Sequence, residues 1–167
     1  MRRPLLAAAL TLAGIAGGLA AATARADEVG SFSNDWTGNE LTVEAVPDPD
    51  IQGVTCHIVS FSRSVIDRLR KGNWFEDPSN TSIACRQTGP IVIGKIDTSK
   101  HGEEVFSERK SLIFKSIAVR RIYDRANDTL IYVVYSRQVK DASAKMAIST
   151  VPLFNANPTW TKGKPER

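Results

Sequence analysis

The sequence predicts a mainly β protein, an antiparallel sandwich or partly closed barrel with one short helix. Two observations carry this. Beyond residue 26 there are 25 Val and Ile against five Leu, with ten Thr besides. β-branched side chains lose rotamer freedom in a helix but fit a pleated surface. The same region also breaks into many short apolar runs separated by turn signals, with no repeat, linker or low-complexity block, which is the pattern of one antiparallel domain.

The elements follow in order. Leu41-Thr42-Val43-Glu44-Ala45-Val46 alternates as a half-buried strand, and Pro47-Asp48-Pro49-Asp50 is a turn, because Pro fixes φ and Asp bonds its own backbone. Gly53 to Phe61 is a second strand. Ser64-Val65-Ile66-Asp67 opens a short helix with a capping Ser and an acid three residues on, and Gly72 stops it. A loop spans Asn73 to Asn80. Strands are expected at Thr81 to Gln87 and Pro90 to Ile96, followed by a polar turn through Gly102. Glu103 to Arg109 and Leu112 to Tyr123 are extended, Arg125-Ala126-Asn127-Asp128 turns, and Leu130 to Tyr135 returns. Both faces of the last two strands are largely apolar, which places them centrally. Met146 to Leu153 is the final strand. Residues 158–167 are expected to be a flexible tail, in which Trp160 is the residue suited to docking.

Residues 1–26 differ in kind from the rest. Arg2 and Arg3 precede an uninterrupted apolar stretch from Leu5 to Ala22, and Ala24-Arg25-Ala26 closes it with an A-x-A pattern. This is the form of a cleaved signal peptide, with Ala22-Thr23-Ala24 allowing a cut two residues earlier. The stretch just reaches spanning length, but its Ala and Gly content and the small residues after it favour cleavage over an anchor. Residues 27–157 then form the single domain, exported to the periplasm with no integral membrane anchor. The whole chain has 22 Lys and Arg against 18 Asp and Glu. Losing Arg2, Arg3 and Arg25 leaves 19 against 18, so the basic excess nearly vanishes and a nucleic-acid partner is excluded.

Cys56 and Cys85 are the only cysteines. An even pair in an oxidising compartment reads as one structural disulfide. Closing that loop restricts the unfolded chain by about 3.6 kcal/mol in the loop-entropy account. The C-x-x-C spacing of a redox-active pair is absent. His57 follows Cys56, but strand neighbours point to opposite faces, so adjacency argues against a Cys–His nucleophile. Asp48, Asp50 and Glu44 could gather round calcium, yet no twelve-residue EF-hand loop occurs. Phosphate-binding and dinucleotide loops are missing as well. No residue is assigned a catalytic role, and no metal or cofactor is expected. The candidate binding surface is basic: Arg109, Lys115 and Arg121 share a face by parity if 109–121 is one extended run, spaced over roughly 40 Å. Such a stripe could meet an anionic component or another protein of the cell envelope.

Several segments, occurring in order, resemble the CreA family of small exported bacterial proteins. They are Pro47-Asp48-Pro49-Asp50-Ile51 leading to Gly53-Val54-Thr55-Cys56, and Ser82-Ile83-Ala84-Cys85-Arg86-Gln87-Thr88-Gly89-Pro90-Ile91. With them go Ser111-Leu112-Ile113-Phe114-Lys115-Ser116, Arg121-Ile122-Tyr123-Asp124, Tyr132 to Ser136, and Ala147-Ile148-Ser149-Thr150-Val151-Pro152. The likeness spans about residues 28–153 and departs most at 61–76 and in the tail. It implies a periplasmic location and carries both cysteines, but no catalytic residue, since the family has no established activity. The expected role is a non-enzymatic binding or accessory module of the envelope. The alternatives are a small-ligand carrier, or an enzyme that is either thiol-based or a hydrolase assembled from distant residues such as His57, Asp48 and a Ser.

Overall fold

The computed structural model describes residues 26–33, 36, 39–62, 81–106, 117–137 and 146–165. These form two sheets and, among the described residues, no helix. The first sheet holds β1 (Asp27–Ser33), β2 (Glu40–Pro47), β3 (Ile51–Ser62) and β4 (Ser82–Ile93). The second holds β5 (Glu103–Glu104), β6 (Ile117–Asp124), β7 (Thr129–Ser136) and β8 (Met146–Pro152). A final strand, β9 (Thr159–Trp160), returns to the first sheet. The orders are β1-β2-β3-β4-β9 and β5-β6-β7-β8, antiparallel throughout except for the parallel β4–β9 pair. The fold is a β-sandwich, and β6 and β7 occupy the centre of their sheet as their two apolar faces predict.

Period-2 patterning sorts each strand into an inner and an outer face. Val46, Cys56 and Cys85 face inward across three strands, as do Ile58 and Ile83 in the next row. Val119, Tyr132, Val134 and Val151 meet them from the second sheet. The disulfide joins Cys56 to Cys85, which are direct cross-strand partners.

Where β4 passes β8, the two sheets close a corner. The Cys85 N–H, which points away from β3, donates to Ser149 Oγ at 2.8 Å, and the Ser149 hydroxyl lies 3.4 Å from the Cys85 carbonyl. One side chain of β8 thus covers a backbone edge that would otherwise be buried and unpaired.

Two sequence expectations change. Thr81–Gln87 and Pro90–Ile96 are not separate strands, because β4 runs through Thr88-Gly89-Pro90 without a break. Gln52 pairs with Val92 but Val54 with Gln87, so residues 88–91 of β4 bulge opposite Gly53, which takes φ +77°. A Cβ at Gly53 would collide with the Pro90 carbonyl, so only glycine lets the strands approach here. Proline is tolerated at bulges and on outer edges, and β9 reaches only Val92 and Ile93. The tail is also not free from Pro158 onward: Thr159 pairs with Val92, and Trp160 with Ile93. The expected helix from Ser64, and the loop after it, lie outside the described residues.

Candidate functional site

Of the expected basic stripe, Arg121 alone lies among the described residues. Arg109 and Lys115 lie outside the described residues. Arg121 sits on β6 with the parity of Ile117, Val119 and Tyr123, all of which face the core. It is 1% exposed, so it presents no charge to a surface ligand.

Its burial is explained by what surrounds it. Asp48 stands at the β2–β3 turn, where Oδ1 accepts the N–H groups of Asp50 (2.9 Å) and Ile51 (3.0 Å), the turn chemistry that Pro-Asp-Pro-Asp predicts. The same oxygen accepts Arg121 Nη1, while Oδ2 accepts the Tyr132 hydroxyl at 2.6 Å. Arg121 Nη2 donates to Asp50 Oδ2 (3.1 Å) and Glu103 Oε1 (2.6 Å). Glu103 Oε1 also accepts the Asp97 N–H at 2.7 Å. The guanidinium thereby joins the β2–β3 turn of the first sheet to β5 and β6 of the second, and Asp48 extends the link to β7 through Tyr132.

The electrostatics fix the protonation states. Burial works against the Arg121 charge, but the carboxylates of Asp48 and Glu103 outweigh it and hold the guanidinium above its ordinary range. Burial and then the Asp48 charge push the Tyr132 phenol well above its usual value. At neutral pH Tyr132 is a neutral donor and Arg121 a permanent cation. Both Asp48 oxygens are engaged, and within this cluster Arg121 Nε is buried with no partner among the described residues. Neither Arg121 nor Tyr132 changes protonation near pH 7, and their bonds to Asp48 make the cluster a fixed clamp between the sheets.

The remaining candidates do not converge. Cys56 is tied to Cys85 and faces the core, whereas His57 faces outward beside Ala45 and Ala84. Asp48 points between the sheets, so Asp48 and His57 lie on opposite sides of the first sheet. Asp48 and Asp50 are drawn to Arg121, not to each other as calcium ligands. His101 lies in the exposed turn, where its carbonyl accepts Arg120 Nη1 at 2.9 Å.

A surface that the sequence reading passed over lies on β1. All seven of its residues are exposed. Val29 is 62%, Phe32 56% and, in the following connection, Trp36 87% exposed. Phe32 pairs with Leu41, and Leu41 with Phe61, giving an apolar row across β1, β2 and β3. Large apolar side chains exposed in this way make the outer face of β1 a candidate interaction surface. The parity of Phe32 and Leu41 gives no hint of it before the β1–β2 register is known.

Comparison with known proteins agrees with the segments quoted above. The family model described as CreA protein matches residues 29–156. The chain is 40% identical over 138 residues to Protein CreA of Escherichia coli strain K12, covering 78% of this chain and 86% of that relative. The same figures hold for Protein CreA of Escherichia coli O6:H1 strain CFT073. No solved structure matches the chain. The match spans β2 to β8, including both cysteines and the Asp48–Arg121–Tyr132 clamp, and the chain belongs to the CreA family.

Proposed function

We propose that this CreA-family protein is a periplasmic, non-enzymatic binding module that docks an envelope partner through the outer face of its first sheet. The observation that carries the reading is exposed Phe32 in a row with half-buried Leu41 and Phe61, together with exposed Val29 and Trp36 on and just after β1. The leader-like residues 1–26 support export, and the disulfide suits an oxidising compartment. The polar cluster supports a binding role because its groups hold the two sheets rather than waiting for a substrate. The buried position of Arg121 moves the candidate surface from charge to apolar contact.

The test is site-specific photo-crosslinking from position 32 in living cells, with Phe32→Ser plus Trp36→Ser as the comparison. A defined adduct from position 32, and loss of that partner in the double variant at unchanged melting temperature, is the expected result. Crosslinks no different from those of an outward control position such as Thr150 would refute the surface. Recovery of the protein in the cytosol with its leader attached would refute the compartment.

A further inference from the structure

The chain's own tail shows what a second surface can hold. After β8 the backbone leaves the core through Asn157, at φ +43°, and Pro158. Thr159 and Trp160 then add a parallel strand to the outer edge of β4, at Val92 and Ile93. Thr161 N–H and Oγ1 both donate to the Ile93 carbonyl, at 3.0 and 3.1 Å. Trp160 packs edge-on against Tyr123 of the other sheet, with ring centroids 5.2 Å apart. Lys164 Nζ reaches Asp128 Oδ2 at 2.6 Å, and Asp128 Oδ1 accepts the Tyr123 hydroxyl at 2.9 Å. A backbone ladder, an aromatic anchor and an acidic latch are together the elements of peptide capture by strand addition.

Three features mark the tail as a displaceable occupant rather than part of the core. The family match stops at residue 156, before the strap begins. Only two residue pairs form its ladder, and its ion pair is partly exposed. The Trp160 indole Nε1 is buried with no hydrogen-bond partner among the described residues, so the anchor does not fit its seat completely.

We propose that the β4 edge, Tyr123 and Asp128 form a groove for an extended segment of a partner protein, with an aromatic residue followed four positions later by Lys or Arg. The tail is its tethered competitor. Tethering supplies an effective concentration of roughly millimolar, so the groove is closed until a partner outcompetes it. This deepens the binding-module reading and rests on it only for the partner being an envelope protein. A peptide titration reads the groove with no envelope component present, so the two can fail separately.

The probe is a fluorescein-labelled peptide of residues 157–167, titrated by anisotropy into the oxidised mature protein and its Trp160→Ala and Lys164→Glu variants. The peptide is expected to bind Trp160→Ala at least tenfold more tightly than wild type, and Lys164→Glu severalfold more tightly. A peptide with Ala for the Trp should bind none of them. One with Phe, which has no N–H to bury, should bind Trp160→Ala at least as tightly as the native peptide. Equal affinity for all three proteins, or no binding to variants that keep a native circular dichroism spectrum, would overturn the proposal. So would unfolding of both variants, because the strap would then be integral to the core. A wild-type dimer in sedimentation that Trp160→Ala dissolves would assign the groove to a second copy's tail and overturn the partner reading.

Discussion

Replacing Arg121 with Met tests the clamp most directly. The side chains are similar in length, so packing along the stem is nearly kept and the charge alone is lost. Arg121 contacts three carboxylates, but they do not count equally. The Asp48 side chain is fully buried, whereas those of Asp50 and Glu103 are 40% and 32% exposed. Each of the exposed pairs is worth about 0–1 kcal/mol. Removing one partner of a fully buried pair costs about 3–5 kcal/mol, because the other charge stays buried without a counterion. At about 2.1 cal/mol/K of unfolding entropy per residue, a domain of this size should lose roughly 10–17 °C in Tm. If the cost comes from stranding Asp48, Asp48→Asn should relieve it. The double variant is therefore expected to be more stable than the sum of the two single losses by about 1–3 kcal/mol. Urea unfolding followed by tryptophan fluorescence, with all four proteins oxidised, measures the cycle. An Arg121→Met loss below about 1 kcal/mol, or strict additivity, would show that the guanidinium is not what holds Asp48 in place.

Three further outcomes follow from neighbouring geometry. Tyr132 ionises far less readily folded than unfolded, so its contribution is complete below about pH 10 and is lost as pH rises above that value. Tyr132→Phe should be about 1–3 kcal/mol less stable at pH 7, and its alkaline decline should be shallower by up to about 1.4 kcal/mol per pH unit; parallel declines would contradict this. Ser149→Ala leaves the buried Cys85 N–H unpaired and should cost about 1–3 kcal/mol, with faster exchange of that one amide by NMR. Gly53→Ala forces a side chain into the left-handed region and against the Pro90 carbonyl. A loss of about 3 kcal/mol or more is expected by calorimetry, and a neutral result would mean the bulge relaxes at little cost.

What the residues disclose beforehand divides along physical lines. β2, β3, β6, β7 and β8 are legible because alternation and β-branching act locally. The Pro-Asp-Pro-Asp turn is legible because Asp48 bonds backbone only two and three residues on. The joining of two strands into β4 depends on Gly53, a residue of another strand, and no local pattern reports that. Arg121 is instructive in another way. Parity puts it on one face with the odd positions of its strand, and among the described residues that face holds Ile117, Val119 and Tyr123, an apolar face that announces the core. A cation on such a face requires buried carboxylates, and Asp48, 73 positions away, supplies one. β1 and β9 went unseen for a common reason: their residues do not alternate, and each strand exists because an established edge supplies its hydrogen bonds.

An edge that recruits a weakly patterned segment from its own chain is selecting for backbone and one or two anchors, not for a full apolar face. β9 shows this at the β4 edge, with Trp160 as its anchor. β1 shows it at the β2 edge, where Phe32 joins the Leu41–Phe61 row yet stays half exposed. Arg121 and Asp48 together tie the β2–β3 turn to β5, β6 and β7, and Ser149 closes the β4–β8 corner. The polar network therefore stiffens the frame between two peripheral strands, which under the proposed binding role would let each engage or release a partner without loosening the core. A variant that weakens the clamp without unfolding the protein should accordingly blunt partner binding at both edges together, whereas Phe32→Ser or Trp160→Ala should affect its own edge alone.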